Sequence, residues 1–136
     1  MDIKPRTTTA LFTDVGLLIK SRMQKAMPMP LSQCQTLGFV AEHTNPSMQD
    51  VARYFNIRAP SATFLVDELV RGNYLERRSN TKDRRRVELT LTDKGKKCFK
   101  AIQKKREQVL GSLFDSLPPK DRKEMDRILE KIISNA

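Results

Sequence analysis

Tryptophan is absent from this chain of 136 residues, aromatic residues are 6% of it, and it holds one histidine and two cysteines. Each scarcity closes off a class of chemistry. His43 has no Cys or carboxylate cluster at ligand spacing around it, so it reads as a helix-end residue interacting with the helix dipole and not as a metal ligand. Cys34 and Cys98 match no metal spacing and fall on apolar-periodic segments. They read as reduced, small core residues, with redox sensing as the alternative. There is no paired Cys/His site, no glycine-rich phosphate loop and no acid–base pair in a pocket context, so an enzyme is not expected, nor is a cofactor or a metal. No run approaches the roughly 18 apolar residues of a membrane helix, and MDIKPRTTTA has no apolar signal core. A soluble, cytoplasmic protein is expected. A membrane-surface helix would set lysines opposite bulky aromatics, and the lysine-rich segment 94–105 has only Phe99.

What the chain has is positive charge. Lys plus Arg number 26 against 16 acids, for a net charge of +10 and a pI near 10.0. The length suits one domain with a real core, and the charge favours a polyanionic partner. Residues 74–92, YLERRSNTKDRRRVELTLT, concentrate it. Tyr74 to Arg78 predict one strand, and Val87, Leu89 and Leu91 alternating with Glu88, Thr90 and Thr92 predict its partner. From Arg77 to Arg86 stand six basic residues (Arg77, Arg78, Lys82, Arg84, Arg85, Arg86) and one acid, Asp83. Such a loop reads either as a solvated charge run or as a contact for DNA phosphate, and the segment before it favours the second. The C-terminal charge excess is mostly Lys on a helical pattern, as on a solvated helix face.

Helical spacing predicts a first helix over 7–26, N-capped within Thr7 to Thr9, and a second from about Leu31 to Glu42 after the stiff break Met27-Pro28-Met29-Pro30. Ser47, with Asp50 in a capping-box position, opens a short third helix that Asn56 stops. A fourth starts at Ala59-Pro60 and ends at Gly72-Asn73, with Gly72 the expected left-handed C-cap. Two short helices, a tight turn at 56–58 and a hairpin form a helix-turn-helix with a wing. Thr92 caps a long helix over about 93–116, and a last helix runs from Pro119 to about Ser134.

Opposite Ala62, Leu65 and Leu69, the fourth helix carries Pro60, Phe64, Asp67 and Arg71, flanked by Ser61 and Thr63. This face would enter the major groove, N-terminal end first. Ser61 and Thr63 can bond to base edges or phosphate. Phe64 could pack on a thymine methyl or add a core contact. Asp67 could accept from a cytosine amino group, at an electrostatic cost near phosphate. Arg58 and Arg71 are the helix's only positive charges, so the wing must supply much of the attraction.

The expected fold is mainly α (α+β): a winged helix-turn-helix of five to six helices plus a two-stranded β-hairpin wing, with dimerisation helices from both termini. The DNA-binding region is 47–92, and 1–46 with 93–136 dimerises. Stripes such as Leu11/Val15/Leu18 and Ile128/Leu129/Ile132 need burial, either in the monomer's own core or, as preferred, in a dimer of interleaved ends. A dimer sets two recognition helices about one DNA turn (~34 Å) apart, suiting a palindrome.

The order of elements, with SMQDVARYFNI, TFLVDELVRGNYLERR and DRRRVELTLTDKG, resembles the MarR family of bacterial transcription regulators over nearly the whole chain. The last segment matches that family's wing signature, Asp-x-Arg followed by an apolar strand and Leu-Thr-x-x-Gly. The resemblance implies a triangular homodimer and an Arg85 that reaches into the minor groove, where A·T-rich narrowing concentrates negative potential. It implies that Asp83 holds the wing by pairing with basic neighbours. It also implies a small, often aromatic or phenolic, ligand between the two regions that lowers DNA affinity. Walls for it are expected where the first, second and fifth helices meet, at Leu18, Arg22, Leu37 and Phe99. The sequence departs from the family's pattern at Phe64, often polar or basic there, and at Arg58-Ala59-Pro60-Ser61, where a Ser-Pro-Ser-like start is usual. Peroxide-sensing relatives use a reactive Cys near the N-terminal helix. Cys34, in the second helix with no activating partner in sequence, is not assigned that role.

The functional expectation is thus a dimeric, sequence-specific repressor released by a ligand. The alternative is a winged-helix protein-interaction module or anti-repressor that has lost operator binding, for which the acidic Asp67 and Glu68 are the best support.

Overall fold

The computed structural model describes residues 5–136; the first four residues of the expected N-terminal region lie outside the described residues. Eight elements follow one another: α1 (Thr8–Ala26), α2 (Leu31–Glu42), α3 (Met48–Phe55), α4 (Ala59–Arg71), β1 (Leu75–Ser79), β2 (Val87–Leu91), α5 (Asp93–Phe114) and α6 (Pro119–Ser134). This is a winged helix-turn-helix with helices before and after it. β1 begins one residue later than the expected Tyr74 start, and α5 ends at Phe114, two residues short of the expected end.

Short-range chemistry explains most of the boundaries. Thr7 Oγ1 accepts from the Ala10 N–H and caps α1. Ser47 and Asp50 form a reciprocal capping box on α3: the Asp50 N–H donates to Ser47 Oγ at 3.1 Å, and the Ser47 N–H donates to Asp50 Oδ2 at 2.8 Å. Asn56, at φ 52°, closes α3 in the left-handed region that asparagine tolerates. One expectation needs correction. Gly72 is not left-handed, since its φ is −76°; the left-handed turn is made by Asn73, at φ 63°. The chain therefore leaves α4 one residue later, and the Tyr74 N–H reaches back to Leu69 O at 2.8 Å.

The core lies between the helix-turn-helix, the hairpin and α2. Leu37, Val51, Val66, Leu69, Leu75 and Leu89 are fully buried there. Each aliphatic side chain so removed from water contributes roughly 1.5–3 kcal/mol. β1 and β2 pair antiparallel, with Leu75 opposite Leu91 and Arg77 opposite Leu89. A bridge between Ser47 and Glu88, with the Leu89 N–H on Pro46 O at 2.8 Å, attaches the hairpin to the start of α3.

The join between hairpin and α5 explains Leu-Thr-x-x-Gly physically. Thr92 Oγ1 accepts from the Gly95 N–H at 3.0 Å and lies 2.6 Å from Asn73 O, its acceptor. A Cβ on Gly95 would overlap Tyr74 O, so only glycine lets α5 lie against the connection between α4 and β1. Lys94 Nζ bonds Gly72 O at 2.8 Å and sits over the Tyr74 ring.

Neither α1 nor α6 has a buried residue. Leu11, Phe12, Val15, Leu17 and Leu18 of α1, and Ile128, Leu129, Ile132 and Ile133 of α6, are exposed. The stripes expected to be buried are thus not buried by the chain's own fold. No helix is long and apolar enough to cross a membrane among the described residues.

Candidate nucleic-acid interface

Two surfaces carry the expected DNA-facing residues. On α4, Pro60, Ser61, Thr63, Phe64 and Arg71 are exposed, and Arg58, the residue before the helix, is exposed too. Phe64 is 66% exposed, which decides between its two readings: it is a surface ring and not a core contact. Pro60 sits in the first turn, where the missing N–H has no intrahelical partner to lose. Thr63 Oγ1 donates to Ala59 O at 3.0 Å and keeps its acceptor capacity for another donor.

The acids of this helix are not free. Asp67 is paired with Arg77 at the root of the wing. Glu68 Oε1 is 2.9 Å from Arg71 Nη1. The negative charge that weighs against phosphate is therefore locally compensated. The Asp67–Arg77 pair also ties α4 to β1.

The wing divides its cations into two groups. Arg77 is paired with Asp67, and Arg78 Nη2 lies 3.2 Å from Glu76 Oε2. Arg86 turns back towards the helix-turn-helix, with Nη2 3.2 Å from Asp50 Oδ2 and Nε 3.6 Å from Glu88 Oε1. Among the described residues, Lys82, Arg84 and Arg85 make no ion pair, and all three are exposed. They occupy the turn between the strands.

Asp83 holds the wing differently from the expectation. It makes no ion pair with its basic neighbours. Its Oδ1 accepts from the Arg85 N–H at 3.0 Å, and its carbonyl accepts from the Arg86 N–H at 3.0 Å. The reason is geometric: the turn brings backbone N–H groups to the carboxylate while the neighbouring side chains project into solvent. Asn80 does parallel work. Its Oδ1 accepts from the Lys82 and Asp83 N–H groups at 2.8 and 3.1 Å, and its Nδ2 donates to Glu88 Oε1 at 2.5 Å.

Asp50, Asn80 and Glu88 were not singled out for this surface by sequence reasoning. Asp50 was legible only as a cap, because its second partner, Arg86, is 36 residues away. Asn80 had a local signal, an asparagine opening a turn. The Asp50 carboxyl is held below its ordinary range, first by the hydrogen bond from the Ser47 backbone; burial opposes this, and the Ser47 hydroxyl, Arg86 and Arg53 add to it.

A separate cavity of about 640 Å³ opens between α1, α2 and α5. Phe99 lines it as expected, but Leu18, Arg22 and Leu37 do not. Leu37 turns fully into the core, while Leu18 and Arg22 are exposed. α1 presents instead Gly16, Ile19, Lys20 and Met23, a helical face that misses positions 18 and 22. Cys34 is on the wall. Burial pushes its thiol up, as does the nearby Cys98, and burial also raises Cys98; thiols so shifted are poor nucleophiles. His43 follows α2, and its Nδ1 donates to Phe39 O at 2.8 Å, since a carbonyl can only accept. Among the described residues no group of three or more His, Cys, Asp or Glu is placed to hold a metal.

The sequence model of the MarR family matches residues 28–86. The transcriptional repressor MprA of Escherichia coli is 30% identical over 117 residues, covering 85% of this chain and 66% of its own. The HTH-type transcriptional repressor MdtR of Bacillus subtilis is 23% identical over 141 residues, covering 96% of this chain and 91% of its own. Among solved structures, MepR, a transcription regulator of the Staphylococcus aureus multidrug efflux pump MepA, superposes with a TM-score of 0.85 at 21% identity, over 96% of this chain and 98% of that one. A MepR–DNA complex superposes at 0.74 and 22% identity, over 97% and 100%. These relatives are regulators and not enzymes. With its helix-turn-helix, its arginine wing and the Thr92–Gly95 junction, the chain belongs to the MarR family of transcription regulators.

Proposed function

We propose that this chain is a homodimeric repressor that binds a palindromic operator in double-stranded DNA and is released by a small aromatic ligand. In this reading residues 47–92 bind DNA, and residues 1–46 with 93–136 dimerise. The outward face of α4 (Arg58, Pro60, Ser61, Thr63, Phe64, Asp67, Arg71) enters the major groove, and the wing enters the minor groove.

The observation that carries the DNA contact is the division of cations on the wing. Arg77, Arg78 and Arg86 are held by carboxylates, whereas Lys82, Arg84 and Arg85 project from the turn with none. Like charges gathered at a tip repel one another until a polyanion approaches, and phosphate contact releases counterions from DNA. Arg85 is the side chain for the minor groove, with Lys82 and Arg84 on phosphate. Arg77 and Arg86 contribute field and shape more than direct contact.

Dimerisation is supported by the unburied apolar stripes of α1 and α6. Ile132 is 54% exposed and Phe12 is 66% exposed, and two copies that shared these faces would remove them from water. Ligand release is supported by the cavity between α1, α2 and α5, whose walls include Met23, Met27, Phe99 and Ile102. An apolar hollow with a few polar groups suits an aromatic molecule. A ligand that favours a spacing of the two DNA-binding regions unlike the DNA-bound one would shift the population away from binding. The protein-interaction alternative loses its main support, because Asp67 and Glu68 are both paired within the chain.

The test is fluorescence anisotropy on DNA selected by this protein from a random pool, against scrambled DNA, across a salt series. A preference of ~10³ or more with a steep negative salt slope is expected. Equal, weak binding to every sequence would overturn operator recognition.

A further inference from the structure

The cavity between α1, α2 and α5 has a wall that does not belong to those helices. Of its lining residues, Tyr54 alone comes from the 47–92 region; every other one belongs to the segments before or after it. Tyr54 sits on α3, the first helix of the helix-turn-helix, and is 58% exposed. Its ring lies against Phe39 of α2, with centroids 4.6 Å apart, and edge-on to Phe55, at 5.0 Å. Phe39 in turn stacks on His43 at 4.2 Å.

The same two rings also line a second hollow of about 390 Å³, with His43, Pro46, Asp50 and Arg53. Phe39 and Tyr54 are therefore a partition shared by two hollows. On one side is the cavity between the flanking helices. On the other is the surface at the start of α3, where Asp50 caps the helix and holds Arg86 of the wing. Tyr54 and Asp50 lie four residues apart on α3 and so share a face of that helix.

From this placement we infer that Tyr54 is the positioning residue through which occupancy of the cavity reaches the helix-turn-helix. The inference rests on the ligand-release reading and deepens it. An aromatic molecule seated among Met23, Met27 and Phe99 touches the DNA-binding region at one side chain. It acts by displacing or bracing the Tyr54 ring against Phe39, which moves α3 and, through Asp50 and Arg86, the wing. The ring is the working part: phenylalanine at this position keeps the partition, and leucine removes the stacking.

The test measures coupling, which is a ratio and not a single affinity. The probe is 1-anilinonaphthalene-8-sulfonate, an aromatic anion whose emission rises in apolar hollows and for which Lys20 and Arg106 supply countercharge in the cavity wall. Its dissociation constant is measured without and with saturating operator DNA selected by the wild-type chain. The wild type and Tyr54→Phe should show the probe weakened by DNA about tenfold. Tyr54→Leu should bind DNA alone within about threefold of wild type and, whatever its own probe affinity, show a DNA effect on that affinity below about twofold, a loss of coupling that a merely structural role would not produce. Met23→Ala, on the α1 wall, should change probe affinity and leave the DNA effect intact. Because the chain holds no tryptophan, Tyr54→Trp places a single emitter at the partition, and its spectrum should respond to probe and to DNA. Full coupling retained in Tyr54→Leu overturns the role of Tyr54 while leaving ligand release standing. A wild type whose probe affinity is unmoved by DNA, or which binds no probe, overturns ligand release and this inference with it.

Discussion

Arg85 and Arg86 are neighbours of the same type with different surroundings, and they should behave differently when removed. Arg85 has no carboxylate partner, while Arg86 joins Asp50 and Glu88. Arg85→Ala should weaken operator binding by about 1–3 kcal/mol, mostly at A·T-rich flanks, with the melting temperature unchanged. Arg86→Ala should weaken binding and also lower stability by up to about 1 kcal/mol, because half-exposed ion pairs are screened by water. Denaturant melts beside anisotropy titrations separate the two. Equal behaviour of the two variants would mean that the wing's division of cations has no functional weight. Lys82→Ala should lower affinity almost uniformly over sequences and reduce the salt slope by about 1.

At the scale of elements, the joins matter more than the elements themselves. α3 begins with a capping box whose acid also receives the wing, so its charge state governs both. Asp50 has a folded-state pKa below its ordinary value near 3.8. A carboxylate so shifted contributes stability that is present above the unfolded value and is lost as pH falls through the folded one. Stability should therefore decline from about pH 4 downward, and Asp50→Asn should be less stable at neutral pH yet flatter through that acid window. Acid melts of the two proteins check this; parallel curves would remove Asp50 from the linkage. The second join is Gly95 against Tyr74. Gly95→Ala forces a Cβ onto a carbonyl and should cost about 1–3 kcal/mol, although alanine is the better helix former. A stabilised Gly95→Ala protein would show that α5 can move away from Tyr74 freely.

At the scale of the whole molecule, the unresolved burial lies at the two ends of the chain. α1 and α6 leave apolar side chains in water that a second copy can cover. Ending the chain after Pro118 should give monomers or aggregates by sedimentation, with operator affinity lost along with the paired half-site contact. A truncated protein that stays a dimer would refute the contribution of α6. The affinity of the intact protein should also fall steeply between low and physiological salt, because the free cations sit together at the wing tips.

Much of this was legible along the chain because it is local. Helix starts at Thr7, Ser47 and Thr92 depend on a side chain and a backbone N–H three residues on, which spacing alone reveals. The hairpin follows from alternation, and the basic loop from composition. The last turn of α4 was misread at Gly72, because glycine permits a left-handed turn without requiring one and Asn73 took it. What spacing could not reveal is which charges are already spent. Asp67 meets Arg77, and Asp50 meets Arg86, across separations of 10 and 36 residues, so their pairing exists only once the helices and the hairpin have packed. The same holds for the cavity, whose α1 wall depends on how that helix is rotated, and for Tyr54, which reaches it from another region. The sequence by itself determined the elements, the side-chain caps that start α1, α3 and α5, and the family, because those rest on residues close together along the chain. Tertiary structure decided which arginines remain for DNA and where a ligand could press, because electrostatic pairing and cavity walls depend on distances that only packing sets.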